Sequence, residues 1–365
     1  MRVALVHEFL VQRGGAERVL QSLHELFPQA PIFTLVHDPL KTEGFFSKWD
    51  VRTSFLRKFP RGVSNYKWYL PLMPKAIESF DFKGYDLVIS DSSAFAKGII
   101  THKPSVHISY CHTPTRYLWQ EMDDYVANLD YSPVVKWVAG QYLPRLKKWD
   151  YRAARRPDYF IANSQTVRER IKNYYDRDSE VIYPPVDTGF FTPTSHQPPP
   201  KSYYLTGSRL VQYKRIDLVI EAFNRLDTPL IVAGDGPELE NLKRKAKNPK
   251  IKFLGDVSDE KLRQLYQGAK AFIFPSVEDA GIMVLESLAC GTPVIGLNAG
   301  GTAEFIRDGI EGALFKNQSV AEIIEVVRRF DTLQFDKAIL RQRALDFDRK
   351  IFKGKIRDFV RGIID

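Results

Sequence analysis

Cysteine is scarce in this chain. Its 365 residues include two cysteines, Cys111 and Cys290, which excludes a scaffold stapled by disulfides. No apolar run approaches the roughly 20 residues that a membrane-spanning helix needs, and no signal-peptide pattern precedes the first apolar run, which starts near Arg2. We therefore expect a cytoplasmic protein with reduced thiols. The length is about twice that of a typical domain, so we expect two domains with cores of their own.

Acidic residues are the smaller charge class, with 44 against 53 basic residues, which gives a net charge of +9. Such an excess favours anionic partners. The bases concentrate between Val51 and Lys75, a stretch that has no acid and is rich in aromatic residues. This combination suits an anionic membrane surface, because cations meet lipid headgroups while rings occupy the boundary layer. The bases predicted to make this contact are Arg52, Arg57, Lys58, Arg61 and Lys67.

Two other interpretations of the basic stretch remain open. It could be a solvated face whose aromatic residues turn into the core. Single-stranded nucleic acid would also suit basic and aromatic residues. We expect no nucleic-acid partner, because the chain has no RNP-like motif, zinc-finger spacing or repeat.

Short β-branched runs alternate with helical stretches along the chain, which predicts an α/β fold with parallel sheets. In the first half we predict strands at Val3–His7, Ile32–Leu35, Leu87–Ser90, His107–Tyr110, Tyr159–Ala162 and Val181–Tyr183. In the second half we predict strands at Tyr203–Thr206, Leu230–Ala233, Ile251–Leu254, Ala271–Phe274, Val294–Leu297 and Ala313–Phe315.

A proline-rich stretch between these two series has no helical period and predicts a connector. We expect a first domain at 1–188, a linker at 189–200, a second domain at 201–345 and a C-terminal helix at 346–365 that packs back toward the first domain. The helical apolar spacing of this last segment favours a packed amphipathic helix over a membrane-binding one. Two Rossmann-like domains joined in this way would face each other across a cleft that holds the site.

Paired glycines, Gly14 and Gly15, follow the first strand and precede a helix. We interpret the segment from His7 to Gly15 as a loop whose backbone approaches a ligand and whose helix N-terminus offers N–H groups to an anion. A tight turn without a ligand is the alternative. The pattern is not the G-x-G-x-x-G fingerprint, and Gly234-Asp235-Gly236-Pro237 does not supply it either, so a nicotinamide oxidoreductase is poorly supported.

The second domain opens with a strand that ends near Gly207, followed by Arg209 and Lys214. Two cations placed there could hold a diphosphate and stabilise it as it leaves. A surface charge pair is the alternative interpretation.

A second acidic and glycine-containing segment runs from Pro275 to Ile295. Gly281 permits close backbone approach, and the predicted helix that starts near Ile282 and Met283 would direct free N–H groups at a ligand. Glu286 lies about one turn into this helix and Glu278 lies in the preceding loop. Acids beside a diphosphate make sense if the ligand carries hydroxyl donors on both sides of its phosphates, as a sugar nucleotide does. A structural role for Glu286 is the alternative.

Glu278 and Glu286, with seven residues between them, combine with Gly207 to Lys214, Gly234-Asp235-Gly236-Pro237 and the GGAERV loop. Taken in their order along the chain, these motifs resemble the retaining glycosyltransferases of family 4, which have the two-domain GT-B fold. Two further segments, YLPLMPKAIESFDFKGYDLVIS and SYCHTPTRYLW, resemble the bacterial polysaccharide enzymes of that family, many of them mannosyltransferases.

The resemblance implies a role for each matching residue. Arg209 and Lys214 would bind the donor diphosphate, Glu286 the ribose hydroxyls and Glu278 the transferred sugar. The loop with Asp256 and Val257 would contact the base through its backbone, and His112 would contact the sugar near the point of attack. Ala280 stands where the family usually has an aromatic residue and Met283 where it often has proline, so the shape of the sugar pocket stays open.

The expected reaction is transfer of glucose or mannose from a UDP- or GDP-sugar to a lipid-linked saccharide, at the inner face of the cytoplasmic membrane. A departing diphosphate needs positive charge more than a proton, so Arg209, Lys214 and the helix N-terminus should suffice without a metal or other cofactor. We interpret the D-x-D strings at Asp176 and Asp346 as chance. A sugar-nucleotide epimerase of the same fold and a non-catalytic saccharide- or membrane-binding protein are the alternatives.

Overall fold

The computed structural model describes residues 1–120, 122, 132–194 and 202–364. The chain divides into two compact units, one formed by Met1–Tyr183 with Lys353–Asp365 and the other by Pro184–Phe352. Each unit is built on one parallel β-sheet covered by helices.

The first unit contains a seven-stranded sheet in the order β3-β2-β1-β4-β5-β6-β7. Its strands are β1 (Val3–Leu10), β2 (Ile32–His37), β3 (Val51–Thr53), β4 (Leu87–Ser92), β5 (Val106–Cys111), β6 (Tyr159–Ala162) and β7 (Glu180–Val181). The central strands are buried along nearly their whole length, which explains why they are almost continuously apolar.

The helices of the first unit include one that starts at the second of the paired glycines. They are α1 (Gly15–Leu26), α2 (Met73–Glu78), α3 (Arg116–Trp119), α4 (Pro133–Ala153) and α5 (Gln165–Tyr175). Val19, Leu20 and Leu23 of α1 are fully buried at helical spacing, so this helix presents one apolar stripe to the core. Short 3-10 turns occupy Phe55–Lys58, Tyr66–Leu72 and Ala96–Gly98.

The second unit contains a six-stranded sheet in the order β10-β9-β8-β11-β12-β13. Its strands are β8 (Tyr203–Gly207), β9 (Leu230–Ala233), β10 (Ile251–Gly255), β11 (Ala269–Phe274), β12 (Val294–Leu297) and β13 (Gly312–Phe315). Its helices are α6 (Ile216–Phe223), α7 (Leu239–Lys245), α8 (Asp259–Gly268), α9 (Ile282–Ala289), α10 (Gly300–Phe305), α11 (Val320–Phe330) and α12 (Lys337–Leu345).

All twelve predicted strands are present, and two features of the first sheet differ from the prediction. Strand β1 continues past its predicted end at His7 as far as Leu10, so the interpretation of Glu8 to Leu10 as part of a loop was wrong. The polar side chain of Glu8 concealed this continuation, because it is satisfied inside the protein. The three-residue edge strand β3 was missed because it is too short to show alternation.

The proline-rich stretch is attached to the second unit as far as the structure describes it. Val186 forms a parallel bridge with Asp348, and Arg341 donates hydrogen bonds to the carbonyl oxygens of Thr188 and Phe191, both at 2.6 Å. The second half of the predicted linker, from residue 195 onward, lies outside the described residues.

The last helix, α13 (Arg349–Ile364), begins in the second unit and continues in the first. Phe352, Ile356 and Val360 are buried at helical spacing, which favours the packed amphipathic interpretation. Within the first unit, Lys353 pairs with Glu25 at 3.0 Å. Among the described residues, no helix has the length and hydropathy to cross a membrane.

Candidate functional site

The predicted donor-binding residues of the second unit follow strands β8 and β11, which are neighbours in the sheet. Because the two strands are parallel, the loops after them emerge at the same edge. Gly207 is the last residue of β8, and Arg209 and Lys214 follow it. Glu278 lies in the loop between β11 and α9. The fold therefore brings two separate motifs of the sequence to one place.

Lys214 and Glu278 are in direct contact, with Nζ 2.5 Å from Oε1. Their side chains are 13% and 18% exposed, so a ligand could reach both. The Arg209 residue is exposed, and among the described residues its guanidinium has no hydrogen bond or ion pair. One cation here is held by an acid, and the other is open to an anion.

The Gly234-Asp235-Gly236 turn after β9 packs directly on the loop that carries Arg209. The Leu210 amide donates to the Asp235 carbonyl at 2.8 Å. Gly234 has φ +123°, and any Cβ there would collide with the Ser208 carbonyl. The glycine is thus explained by close packing of two backbones, which fixes the loop from behind.

A pair of glycines that the sequence interpretation missed holds the Glu278 loop in place. The Gly301 amide donates to the Glu278 carbonyl at 2.8 Å, and Gly300, with φ +57°, has no room for a Cβ against the same carbonyl. The available signal was a second Gly-Gly pair placed between a strand and a helix, as in the GGAERV loop.

Helix α9 starts where the sequence predicts. Gly281 is its N-cap, in the left-handed region at φ +63°, and Ile282 and Met283 form the first turn. Glu286 is 1% exposed, and its Oε2 lies 3.5 Å from the Tyr266 hydroxyl. The Glu286 carboxylate is therefore more buried than we expected of a residue that binds ribose. In the loop after β10, Asp256 is exposed and Val257 is half-buried.

The candidate residue of the first unit, His112, directly follows β5 and its side chain is 13% exposed. Its Nε2 lies 2.6 Å from Oδ1 of Asp91, and its backbone amide donates to the Ser92 carbonyl at 2.8 Å. Asp91 is fully buried near the end of β4. His112 therefore has one ring nitrogen already engaged.

Asp91 also contacts a second histidine. Its Oδ2 lies 2.8 Å from Nδ1 of His7, and Nε2 of His7 lies 3.5 Å from Oε1 of Glu17. Burial lowers the pKa of His7 and His112, but the facing carboxylates outweigh it and raise both pKa values above 6.5. Burial raises the pKa of Asp91, but the two histidines outweigh it and lower the pKa.

Glu17 also occupies the amide that the sequence interpretation offered to an anion. The Gly14 N–H donates to Oε2 of Glu17 at 2.8 Å, as part of the N-terminal cap of α1. Gly15 is exposed at the start of the helix. In this structure the Gly14 amide therefore has a structural role in capping α1.

Glu8 is buried and fixes the turn that follows β4. Its carboxylate accepts hydrogen bonds from Ser92 Oγ and from the amides of Ser93, Ala94 and Ala96, at 2.8–3.1 Å. A carboxylate with this many donors is stable inside the protein. It holds the backbone next to Asp91.

The segment CHTPTRYLW, which carries His112, is anchored by a buried ion pair. Lys97 Nζ lies 2.5 Å from Asp150 Oδ1, and both side chains are 1% exposed. Asp150 also accepts hydrogen bonds from Thr115 Oγ1, Trp119 Nε1 and Tyr175 OH at 2.7–2.8 Å. Sequence could not reveal this cluster, because its members are separated by up to 78 positions.

The basic segment Val51–Lys75 is largely a surface. Arg57, Lys58, Arg61 and Lys67 are exposed. Arg52 is instead paired with Asp50 at 2.7 Å. Its aromatic residues divide into two groups. Phe55, Tyr66 and Tyr69 pack against the core, whereas Trp68 is 53% exposed, and Arg61 lies over its ring at 6.0 Å. Phe59 and Leu72 are also exposed.

Within the described ranges, no group of three or more His, Cys, Asp or Glu side chains is arranged to hold a metal ion.

Two family models match the chain. One, described as Glycosyltransferase Family 4, covers residues 13–190, and the other, described as Glycosyl transferases group 1, covers residues 192–344. The two matches follow one another along most of the chain.

Curated relatives match only in part. A D-inositol 3-phosphate glycosyltransferase from Nocardioides sp. is 26% identical over 208 residues, which is 47% of this chain and 45% of the relative. A GDP-mannose-dependent alpha-(1-6)-phosphatidylinositol monomannoside mannosyltransferase from Mycolicibacterium smegmatis is 34% identical over 137 residues, which is 33% of this chain and 36% of the relative. The chain thus spans less than half the length of the curated relatives it matches.

Solved structures match over the whole chain. The Anabaena protein HepE, solved in complex with UDP-glucose, has a TM-score of 0.74 at 18% identity, with 99% of this chain and 100% of that chain covered. The lipopolysaccharide outer core galactosyltransferase WaaB has a TM-score of 0.68 at 17% identity, with 99% of each chain covered. At these identities the likeness shows the fold.

Proposed function

This chain belongs to the family 4 glycosyltransferases with the GT-B fold, and on that premise we propose that it transfers a hexose, glucose or mannose, from a UDP- or GDP-sugar to a lipid-linked saccharide with retention of anomeric configuration. The contact between Lys214 and Glu278 carries the proposal. It joins a cation suited to a diphosphate and a carboxylate suited to sugar hydroxyls, on loops from two neighbouring strands.

In the proposed reaction, the bond between the anomeric carbon and the diphosphate breaks, the acceptor oxygen bonds to that carbon on the same face, and the acceptor proton passes to the departing diphosphate. Negative charge develops on the departing diphosphate. Arg209, Lys214 and the N–H groups at the start of α9 would stabilise this charge, and Lys214 and the N–H groups are held in place before the reaction begins. Glu278 would hold the sugar, Glu286 the ribose, and His112 would contact the sugar near the point of attack.

The proposal includes both UDP-sugars and GDP-sugars as donors, because similar proteins use or bind one or the other. HepE is solved with UDP-glucose, and the mycobacterial relative is named as GDP-mannose-dependent. Asp256 and Val257 would contact the base through their backbone, which leaves little trace of base identity in side chains.

The donor is tested by calorimetric titration with UDP, GDP, UDP-glucose and GDP-mannose, followed by transfer assays with lipid-linked saccharides. We expect one nucleotide to bind, and Arg209→Ala to lower kcat/KM about 100- to 1000-fold, the usual loss when one donor to a developing anion is removed. Arg244→Ala is the matched control, because Arg244 is an exposed arginine on α7. Absence of binding by every nucleotide, or equal rates for Arg209→Ala and Arg244→Ala, would contradict the proposal.

The same assays separate the proposed activity from its rivals. A sugar-nucleotide epimerase would convert UDP-N-acetylglucosamine with no acceptor present. A non-catalytic binding protein would bind saccharide or vesicles without any calorimetric response to nucleotides. NMR of the anomeric proton of the product distinguishes retention from inversion.

We propose that the protein binds its acceptor at an anionic membrane surface, on the cytoplasmic face. Four exposed bases, Arg57, Lys58, Arg61 and Lys67, would attract anionic headgroups, and exposed Trp68 would lie at the interface. Arg52 contributes less than was expected, because Asp50 balances its charge.

Vesicle co-sedimentation tests this surface. We expect binding to vesicles of phosphatidylglycerol with phosphatidylcholine, weaker binding to phosphatidylcholine alone, and loss of binding when the four bases become Glu. The control carries the same charge change at four other exposed bases of the first unit, which are Lys83, Lys103, Arg168 and Lys172. Equal binding by the two quadruple variants would remove the basic segment as the docking surface. Trp68→Ala should weaken binding at high salt, where only the apolar contribution persists.

A further inference from the structure

The described residues of the first unit include a row of buried and half-buried charged side chains, of which the proposed reaction uses only His112 directly. Strands β1, β4 and β5 are neighbours, and His7 is the direct partner of Asp91 in the register. His112 follows β5, the next strand along. The side chains therefore form a continuous row from Glu17 through His7 and Asp91 to His112.

We propose that Asp91 is a positioning residue for the transfer reaction, which fixes the ring of His112 through Nε2 and leaves Nδ1 to donate a hydrogen bond to the substrate. His7 and Glu17 extend this arrangement to the cap of α1 at Gly14. The inference rests on the proposed function only in taking His112 to face the substrate.

The geometry dictates the proton on Nε2. A buried carboxylate needs donors at its oxygens, and each oxygen of Asp91 has one imidazole nitrogen within 2.6–2.8 Å. The nitrogen of His112 that faces Asp91 must therefore carry hydrogen. Nδ1 is the nitrogen left for the substrate, and it donates a hydrogen bond when the ring is protonated.

The charged groups around His112 favour the protonated ring. Asp91 and Glu8 raise the pKa of His112, whereas burial and the charge of His7 lower it, and the net direction is upward. On the far side of His7, Glu17 faces the imidazole, and the Tyr110 ring lies 5.4 Å from that of His112. The groups that face the row are thus Glu8, Glu17 and Tyr110, besides its own histidines and Asp91.

Two substitutions in this row should move the same titration in opposite directions. Asp91→Asn keeps the shape and removes the negative charge, so the pKa of His112 should fall by about one to three pH units. His7→Gln removes a neighbouring positive charge, so the pKa of His112 should rise. General damage to the fold would not produce opposite shifts.

The experiment is NMR titration of the histidine ring protons in the full chain. The His112 resonance is identified by its loss in His112→Gln. Asp86→Asn is the matched control, because Asp86 is exposed just before β4 and loses the same charge. We expect an unchanged midpoint for Asp86→Asn. Equal midpoints in wild type and Asp91→Asn, or shifts in one direction for Asp91→Asn and His7→Gln, would overturn the proposal.

Kinetics give the second readout. In wild type, kcat/KM should fall at high pH, where His112 loses its proton. In Asp91→Asn this fall should move to lower pH by the shift seen in the NMR titration. In His112→Gln it should be absent. Failure of the proposed function would be distinguishable, because every variant would then lack transfer while the NMR titration still tests the row. Transfer whose pH profile is the same in wild type and Asp91→Asn would refute the role of Asp91 in the reaction.

Discussion

The candidate site residues of the two units hold their charges in opposite ways. In the first unit, the charges behind His112 are buried and paired with one another, as in the row from Glu17 to His112 and in the Lys97–Asp150 pair. In the second unit, Arg209 is exposed and Lys214 is held by a single acid at a reachable position.

This difference separates two tasks. Buried, fully bonded charges define one geometry, because any rearrangement leaves an ion without partners. Exposed or singly paired cations keep their capacity for an anion that arrives later. Under the proposed function, the first unit would contribute a rigid surface for the acceptor and the sugar, and the second would contribute the binding energy for a diphosphate.

The comparison makes its largest prediction for stability. Lys97→Ala leaves Asp150 buried without its cation, and we expect a loss of about 3–5 kcal/mol in the free energy of unfolding. Lys214→Ala should cost about 1 kcal/mol or less, because water reaches that pair. Urea unfolding followed by circular dichroism measures both variants. The five tryptophans all lie in the first unit, so their fluorescence, including that of Trp119, which is bonded to Asp150, reports on that unit alone. Equal losses in the two variants would end the distinction between the units.

A second prediction compares His107 with His7 and His112 in the first unit. His107 is a buried histidine whose ring contacts no carboxylate in the described part of the chain. Burial, with the charges of Arg156 and Arg177, lowers the pKa of His107 to about 3. The unfolded chain takes up this proton below about pH 6.5, so stability should fall by about 1.4 kcal/mol per pH unit as the pH drops below that value.

His107→Gln should remove this slope. Urea unfolding of both proteins at pH 7, 6 and 5 measures the difference, and parallel pH dependence would contradict it. His7 and His112 behave in the opposite sense. Their raised pKa values give stability that is complete below about pH 6.5 and is lost as the pH rises through the folded values.

The smallest predicted effect concerns the Lys214–Glu278 pair. Glu278→Gln releases Lys214, so UDP or GDP without a sugar should bind about two- to fivefold more tightly, while sugar transfer falls. Asp279→Asn removes the same charge one residue away and is the matched control. Isothermal titration calorimetry measures the affinities.

A further variant, Lys214→Ala with Glu278→Gln, decides the origin of the effect. If the double variant binds UDP or GDP more tightly than Lys214→Ala alone does, general repulsion by Glu278, and not competition for the lysine, limits the affinity.

Local pattern was sufficient for most of the architecture. Buried parallel strands are apolar on both faces, so runs such as Leu87–Ser90 and Val294–Leu297 are visible without any partner. Strand β1 was predicted to end at His7 because the next residue, Glu8, is polar, and the partners of Glu8 in the turn after β4 lie more than 80 positions away. Pairing over such distances leaves no local trace.

The candidate site was predictable to the extent that motifs mark it. Glycines beside strand ends and acids beside a helix start are local signals, and the contact of Lys214 with Glu278 agrees with their expected proximity. Asp91, Gly300 and the Lys97–Asp150 pair were missed, because their role depends on which strands and helices become neighbours.

Helix α13 has a consequence for anyone who dissects this protein. Its first turn belongs to the second unit, whereas Lys353 and the residues after it belong to the first unit. A fragment cut at Tyr183 would lack Ile356 and Val360, which are buried in the intact chain. Separate expression of the amino-terminal lobe therefore requires grafting this terminal segment back, as a fusion or as an added peptide.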